Sequence, residues 1–178
     1  MGILFWKHGR YTKVLETRDL VTIALLATVN VSSRLALQFL PNIKPVTTII
    51  IVVSLVMGAF YGVILSVVTV LLSGVLMGFG TFIPFQIMAW SIISLIAGCL
   101  HYKYQRIPCV YMAILSALGG FLYGFFVSLD KLLIGGPYAF IAYYISGLSF
   151  DALHASGNFL FYVIFAPILI KLMEKRTL

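Results

Sequence analysis

Long apolar runs, separated by short polar or glycine-rich breaks, occupy most of this 178-residue chain. A transmembrane helix needs about 20 apolar residues to cross about 30 Å of hydrocarbon. The stretch between 46 and 77 is too long for one crossing, so it is divided near Gly58 to Gly62. The predicted helices cover about residues 20–40, 46–59, 61–77, 85–100, 109–129 and 146–172. We expect an all-α integral membrane fold, a six-transmembrane-helix bundle, with residues 1–178 as a single transmembrane domain.

The breaks between the runs predict the loops. Pro41-Asn42 ends the first helix, and residues 78–84 form a glycine and aromatic loop. The longest connection runs from Asp130 to Ile145. A stretch of this length would suit a lid over a bulky ligand, although lids also cover small ones.

The few charged residues indicate the orientation. Hydrophobic residues make up 62% of the chain, charged residues 10%, and the mean hydropathy is +1.09. The net charge is +7, but the Lys and Arg residues that produce it flank apolar segments and do not cluster on one soluble face. We therefore expect no nucleic acid partner. Cations favour cytoplasmic loops, which predicts both termini in the cytoplasm and residues 1–18 as a cytoplasmic amphipathic segment. In this orientation two cations, Lys44 and Lys131, lie on the outer side. The cations on the cytoplasmic side are Lys7, Arg10, Lys13, Arg18, Lys103, Arg106, Lys171, Lys175 and Arg176.

Several kinds of chemistry have no sequence signature here. No Gly-x-x-x-x-Gly-Lys-Ser/Thr loop occurs, which excludes ATP hydrolysis by that route. No His-Glu-x-x-His motif is present, and five acidic residues offer little for a metal site or paired-carboxylate catalysis. We expect neither an enzyme nor a metal or cofactor of the chain's own.

A polar stripe marks the last predicted helix. Asp151, His154 and Asn158 are spaced at i, i+3 and i+7, so they share one helical face. Arg34 lies at a similar depth in the first helix, counting about 1.5 Å per residue. The stripe either lines an outward-facing cavity, or Arg34 and Asp151 form a buried pair while Asn158 bonds a neighbouring helix. Cobalt binding by His154 is a weaker interpretation than a neutral, hydrogen-bonded imidazole.

Aromatic residues gather in the predicted outer loops and the adjoining helix ends. They form either a ligand pocket with a few oriented polar groups or an interfacial belt, which predicts a matching inner ring. Tyr102, Tyr104 and Tyr111 supply part of such a ring. With the stripe, the candidate ligand-binding residues are Arg34, Phe79, Phe82, Phe85, Gln86, Trp90, Tyr138, Tyr143, Tyr144, Asp151, His154 and Asn158.

Small side chains recur at every fourth position of the first helix. Ala24, Thr28, Ser32 and Ala36 form a stripe on which another helix can pack closely. The spacing leaves open whether that helix belongs to this chain or to another subunit.

Three segments resemble a known transporter family. They are ALLAT (24–28) in helix one, GTFIPFQIMAW (80–90) and FDALHASGN (150–158). Together with the six expected helices they resemble the S components of energy-coupling-factor (ECF) transporters, and within these the members assigned to cobalamin uptake. The likeness covers essentially the whole chain. Where the family has Ala-x-x-x-Ala, this chain has Ala24 followed by Thr28.

The resemblance implies a substrate-specific subunit of the bacterial cell (cytoplasmic) membrane that captures cobalamin from the outer face and topples to deliver it inward. Its implied partners are the ECF transmembrane scaffold subunit, docking at Ala24, Thr28 and Ser32, and two ABC-type ATPases that use ATP. Two alternatives remain open. The ligand is another vitamin or precursor, such as riboflavin, pantothenate, pyridoxine or a queuosine-type base, or the chain is a membrane-embedded enzyme or an assembly protein.

Overall fold

The structure is a computed structural model that describes residues 16–103 and 107–176. Within these ranges the chain folds into helices joined by short connections, without strands. The helices are α1 (Thr17–Ala36), α2 (Val46–Val56), α3 (Ala59–Met77), α4 (Ile83–Lys103), α5 (Cys109–Ser128) and α6 (Asp130–Arg176). Five are long and apolar enough to cross a membrane, and α2 is an apolar helix of 11 residues. The all-α membrane fold is confirmed to this extent, while most of the predicted amphipathic segment 1–18 lies outside the described residues.

Large apolar side chains cover the outside of the bundle. Val29, Leu72, Leu95, Leu118 and Leu160, one from each long helix, are all exposed. Soluble monomers rarely expose contiguous apolar surface on this scale. In a bilayer the same surface faces hydrocarbon, so the distribution of exposed residues supports a multi-pass membrane protein.

The short helix α2 occupies the centre of the bundle and contacts each of the other five helices. Every residue from Val46 to Leu55 is buried. At 1.5 Å per residue, α2 is about 16 Å long, roughly half the hydrocarbon thickness. The helix predicted over 46–59 is therefore shorter in the structure, where it ends at Val56. The helix ends at Val56 because Gly58 adopts a φ of 105°, and α3 begins directly after it.

Irregular backbone flanks α2 on both sides. Residues 37–45, here called the α1–α2 loop, precede it, and Met57-Gly58 follow it. Within a membrane, non-helical backbone is tolerated only where protein or a water-filled cavity surrounds it, because lipid offers no hydrogen bonds. Discontinuous helices of this kind form the binding sites of many membrane transporters.

A set of small residues joins α2, α3 and α4, and we call Ser54, Ala59, Gly62 and Ser94 the serine junction. Ser94 Oγ donates to the Ala59 carbonyl at 2.8 Å. Ser54 Oγ lies 2.8 Å from Ser94 Oγ and 2.7 Å from the Ile50 carbonyl oxygen. A Cβ atom on Gly62 would lie 2.0 Å from Ser54 Oγ. The three helices meet this closely because the side chain at position 62 is absent.

Helix α6 departs furthest from the sequence prediction. Residues 130–145, predicted as a long outer loop before a helix at 146–172, are helical, and α6 extends over 47 residues. Gly136 alone interrupts it, with φ 70° and ψ −168°. Pro137 begins the segment after this kink, where its missing N–H and fixed φ are tolerated. The glycine and proline cluster thus makes a kink between two helices and not a lid.

Glycines allow α5 and α6 to pack at short range along their length. A Cβ on Gly120 would lie 2.7 Å from the Ala155 backbone nitrogen. A Cβ on Gly124 would lie 2.0 Å from a carboxylate oxygen of Asp151. Small residues permit such close helix contacts in membranes. As a result, Tyr123 of α5 is held against the polar face of α6.

Candidate functional site

Buried polar and aromatic side chains meet near the end of α1, the start of α2 and the facing parts of α4, α5 and α6. Their mutual contacts define a group that we call the polar cluster. Its members are Arg34, Asn42, Thr47, Gln86, Trp90, Tyr123 and His154. Polar side chains inside a membrane bundle are energetically expensive and commonly mark functional sites.

His154 connects α6 to the α1–α2 loop and to α2. Its Nδ1 bonds the carbonyl oxygen of Asn42, and its Nε2 lies 3.4 Å from Thr47 Oγ1. A carbonyl oxygen only accepts, so the proton is on Nδ1 and Nε2 is the acceptor. Trp90 Nε1 donates to Thr47 Oγ1 at 3.2 Å, which completes a chain from indole to hydroxyl to imidazole. Both imidazole nitrogens thus have polar neighbours inside the bundle, and the contact to Thr47 is the longer of the two.

Asn42 holds its carbonyl in this position by an uncommon backbone conformation. Its φ is 59°, in the left-handed region that asparagine adopts more readily than most residues. The next residue, Ile43, packs on α6, where a Cβ on Gly157 would lie 3.0 Å from Ile43 Cγ2. The α1–α2 loop therefore covers the polar cluster and rests on the same face of α6 that carries His154.

Three rings, tilted against one another, form the middle of the polar cluster. The rings of Trp90 and Tyr123 lie 4.8 Å apart at 32°, and the rings of Tyr123 and His154 lie 5.3 Å apart. The Arg34 guanidinium carbon is 5.2 Å from the centre of the Trp90 ring. Gln86 Nε2 donates to the Tyr123 hydroxyl at 2.7 Å. The rings present aromatic surface with polar groups at their edges, as small-molecule sites do.

Arg34 is the buried cation of this group. Its side chain is 9% exposed, and neither Nε nor Nη1 has a hydrogen-bond partner. The buried Arg34–Asp151 pair, one of the two interpretations of the stripe, is not formed: the ion pair found within residues 16–103 and 107–176 joins Lys131 to Asp130 at 3.0 Å. Arg34 therefore contacts an aromatic face without a carboxylate.

Lys44 is a second cation beside the polar cluster, on the α1–α2 loop. Partial burial lowers the pKa of its ammonium group, and the positive charge of Arg34 lowers that pKa further. Two like charges thus lie near each other at the covered end of the site.

The remaining two stripe residues lie beside the polar cluster. Asp151 is 5% exposed and packs against Gly124, one residue from Tyr123. Asn158 lies deeper, where its Nδ2 donates to the Ser116 carbonyl at 3.1 Å. Thr48 Oγ1 donates to the Asn158 carbonyl at 3.3 Å, while Asn158 Oδ1 has no partner. Asn158 thus bonds a neighbouring helix, as the structural interpretation of the stripe expected.

Most of the predicted aromatic residues lie outside the polar cluster. Phe82 and Phe85 are half-buried near the start of α4, and Phe79 is exposed. Tyr138 is 89% exposed, and Tyr143 contacts Lys131, whose Nζ lies 4.8 Å from its ring centre. Tyr144 stacks on Phe140 at 6.0 Å, and both rings meet Phe125 edge to face. The structure brings together Arg34, Gln86, Trp90 and His154, whereas Tyr143 and Tyr144 make ring contacts with Lys131, Phe125 and Phe140.

Sequence reasoning missed Tyr123, Thr47 and Asn42. Tyr123 is a polar aromatic residue in a helix that also carries Gly119, Gly120 and Gly124. That glycine face was the available signal, because it indicates where another helix approaches closely. Thr47 and Asn42 had no comparable signal, since their role depends on the position of the α1–α2 loop.

The small-residue stripe of α1 faces outward. Ala24, Thr28, Ser32 and Ala36 are all exposed, whereas Ala27 and Val31 point into the bundle. Of the two partners left open for this stripe, a helix of the same chain does not contact it within the described residues.

A separate groove of about 470 Å³ opens between α5 and α6 on the outside of the bundle. Its lining consists of Ala117, Phe121, Ala152, Ala155, Ser156, Phe159 and Leu160. None of these residues belongs to the polar cluster.

Across residues 16–103 and 107–176, no three His, Cys, Asp or Glu side chains group as a metal site would need. No protein-family model matches the chain, and no curated protein or solved structure is detectably similar to it.

Proposed function

We propose that this chain is the S component of an ECF-type importer, which binds a vitamin in the polar cluster and relies on partner subunits for energy. The observation that carries the proposal is the burial of aromatic faces and unpartnered N–H groups inside a membrane bundle. A purely structural cluster in lipid would have its donors satisfied, because each unsatisfied buried group costs about 1–3 kcal/mol. A ligand that accepts from these donors accounts for them.

The α1–α2 loop is the part of the site that we propose to move. It covers the polar cluster, and His154 holds it through the Asn42 carbonyl. Breaking one such bond costs a net of about 0.5–1.5 kcal/mol. Nanomolar binding corresponds to about −12 kcal/mol, so a ligand can displace the loop at small expense. The central, discontinuous helix α2 follows the loop directly, as in other transporter sites.

The proposed orientation has both termini in the cytoplasm of a bacterial cell and the polar cluster near the outer face. It follows from the cation distribution in the sequence, in which Lys44 and Lys131 stand apart from the other cations. A vitamin would then enter from outside, beside the α1–α2 loop.

The exposed stripe on α1 is the proposed contact with the scaffold subunit. Ala24, Thr28 and Ser32 present small side chains on the outside of the bundle, where a helix of another subunit can approach closely. The sequence has no phosphate-binding loop of its own, so two ABC-type ATPases would supply the energy through that scaffold.

Cobalamin is the vitamin that the resemblance of segments 80–90 and 150–158 favours. The test is growth of a cobalamin-requiring strain without its own importer, expressing this chain with an ECF scaffold subunit and ATPases. We expect rescue at limiting cobalamin and its loss when the ATPases are inactivated. An assembled complex without rescue would exclude cobalamin and lead to a binding screen of other vitamins. Failure to assemble, or substrate turnover by the chain alone, would contradict the proposed class.

A paired variant tests the scaffold contact. Ala24→Leu with Thr28→Leu should abolish rescue while purified protein still binds its vitamin, since the enlarged side chains lie away from the polar cluster. Val21→Leu, at another exposed position of α1, is the matched control and should retain rescue. Loss of vitamin binding in the paired variant would place the stripe in the ligand site and contradict the docking role.

A further inference from the structure

The guanidinium of Arg34 is charged, buried and incompletely bonded. Its Nε and Nη1 have no partner, and its Cζ lies 5.2 Å from the centre of the Trp90 ring. Burying a charge costs several kcal/mol even after relaxation of the surroundings. Unpartnered guanidinium nitrogens are available for planar, bidentate pairing with a carboxylate or phosphate.

Local features offset only part of that cost. Arg34 lies in the last turn of α1, where the helix dipole modestly favours a cation. A desolvated cation–π contact adds a further favourable contribution. Both together fall short of the penalty for a buried, partly unbonded guanidinium. Another favourable interaction, with a negative group, is therefore needed.

Three aspartates, Asp19, Asp130 and Asp151, do not supply that group. Asp19 accepts from Tyr61 at 2.7 Å at the other end of α1. Asp130 pairs with Lys131. Asp151 packs on Gly124 without an ion pair to Arg34. In the part of the chain that the structure describes, the positive charges at this end of the bundle outnumber the negative charges that contact them.

Lys44 increases this imbalance. It lies on the α1–α2 loop, between Asn42, whose carbonyl bonds His154, and Thr47, whose hydroxyl lies 3.4 Å from His154 Nε2. Within residues 16–103 and 107–176, no carboxylate pairs with Lys44. Two cations that repel each other in the free protein attract the same anion once it binds between them.

We propose that Arg34 and Lys44 together bind an anionic group, a carboxylate or a phosphate, on the ligand of the polar cluster. This inference rests on the proposed function and narrows its substrate class to anionic vitamins or vitamin precursors. If the ligand is cobalamin, the anionic group is the phosphodiester of its nucleotide loop. The aromatic rings beside Arg34 would contact the uncharged body of the same molecule.

Trp90 provides a direct reporter for the experiment. The chain has two tryptophans, so Trp6→Phe leaves Trp90, which touches Arg34, as the sole source of indole emission. The purified variant in maltoside micelles is titrated with matched pairs that differ in one anionic group. The pairs are cobinamide phosphate and cobinamide, flavin mononucleotide and riboflavin, pyridoxal phosphate and pyridoxal, and pantothenate and panthenol.

We expect the anionic member of one pair to bind at least 10-fold more tightly than its partner. Arg34→Met should weaken binding of that member by about 10–100-fold, the value of losing hydrogen bonds to a charged group. Binding of the other member should weaken much less than binding of the anionic member, and circular dichroism of the variant in the same micelles shows that it folds. Arg34→Lys should recover only part of the loss, because a lysine lacks the bidentate fork. Lys44→Met should act in the same direction with a smaller effect, whereas Lys131→Met is the matched control and should change neither member.

Three results would overturn the inference. If both members of a pair bind equally and Arg34→Met changes neither, the chain binds a vitamin but has no anion site. That result keeps the proposed function and overturns the inference. Saturable binding of phosphatidylglycerol that depends on Arg34, with no preference within any pair, would assign the cations to a lipid headgroup. Absence of binding to every compound would remove the proposed function together with the inference.

Discussion

The serine junction and the polar cluster both place polar side chains inside the membrane bundle, but they differ in whether those side chains have hydrogen-bond partners. In the serine junction, Ser54 and Ser94 bond each other and nearby carbonyl oxygens. In the polar cluster, Arg34 keeps two unpartnered nitrogens. Satisfied hydroxyls between glycine and alanine fix helices in place, whereas unsatisfied donors require something that the chain itself does not supply. The comparison separates polar residues that hold the fold from those that are available to a ligand.

The same contrast extends to mobility. The serine junction joins three helices, which can move only together. The polar cluster is covered by the α1–α2 loop, which His154 holds through one backbone carbonyl. Changes at the junction should therefore alter stability, and changes at the cluster should alter binding and loop opening. The predictions below test that separation, from the largest expected effect to the smallest.

Gly62→Ala should destabilise the protein most. The added Cβ would lie 2.0 Å from Ser54 Oγ and 2.3 Å from Ser94 Oγ. Overpacking of this kind costs about 1–3 kcal/mol, which unfolding in mixed micelles, followed by circular dichroism, would measure. Gly147→Ala is the matched control, because a Cβ there has no neighbour within 4 Å. Adding Ser54→Ala and Ser94→Ala to Gly62→Ala should restore part of the loss; no restoration would contradict the steric explanation.

His154→Ala should release the α1–α2 loop, with an effect on stability no larger than that of Gly62→Ala. It leaves the Asn42 carbonyl and the Thr47 hydroxyl without their partner, at about 1–3 kcal/mol. The α1–α2 loop should then open more often. Maleimide labelling of Ile43→Cys, with Cys99 and Cys109 replaced by serine, would measure that opening.

In this labelling assay the reference protein should react slowly without vitamin, and faster with bound vitamin, which displaces the loop. His154→Ala should react several-fold faster. Equal labelling rates in both proteins would show that His154 does not hold the loop, even if binding is impaired.

Trp90→Phe should have an intermediate effect. Phenylalanine keeps a ring for Tyr123 and Arg34 but cannot donate to Thr47. Loss of that hydrogen bond and part of the cation–π contact corresponds to about 1–2 kcal/mol. Calorimetric titration should therefore show about 5–30-fold weaker vitamin binding. Unfolding in mixed micelles should change less than in Gly62→Ala; the reverse order would place Trp90 among the structural residues.

Asp130→Asn should have the smallest effect. Asp130 accepts from Thr81 at 3.1 Å and pairs with Lys131, whose side chain is partly exposed. Asparagine keeps an acceptor for Thr81, and partly exposed pairs contribute about 0–1 kcal/mol. Unfolding at low and high salt should differ less for the variant than for the unchanged protein. A loss of vitamin binding would show that the tip between α3, α4 and α6 belongs to the site.

The helical, apolar character of the chain could be predicted because each apolar run is long compared with its breaks. The bounds of α3, α4 and α5 differ from the predicted bounds by at most three residues, as boundary estimates commonly do. Residues 130–145 could not be read correctly, because glycine and proline there suggest a loop, whereas the structure needs only Gly136 in a non-helical conformation.

The candidate site could be predicted in part. The spacing of Asp151, His154 and Asn158 places them on one face of α6, and all three are buried. The spacing could not say which of them meet residues of other helices. His154 reaches the α1–α2 loop, Asn158 reaches α5, and Asp151 packs against a glycine. Tyr138 was chosen by proximity in sequence, and on the helical segment of α6 it is 89% exposed.

The sequence by itself determined that the protein lies in lipid and that its fold is all-α. Both follow from local properties, namely the length of apolar runs and helix propensity. It also determined which polar residues are costly enough in a membrane to need an explanation. The tertiary structure alone decided that α2 is short and central, that the α1–α2 loop covers the cluster, and that Arg34 meets Trp90 instead of Asp151. These features depend on contacts between residues far apart in the chain, and no local pattern encodes the distance between them.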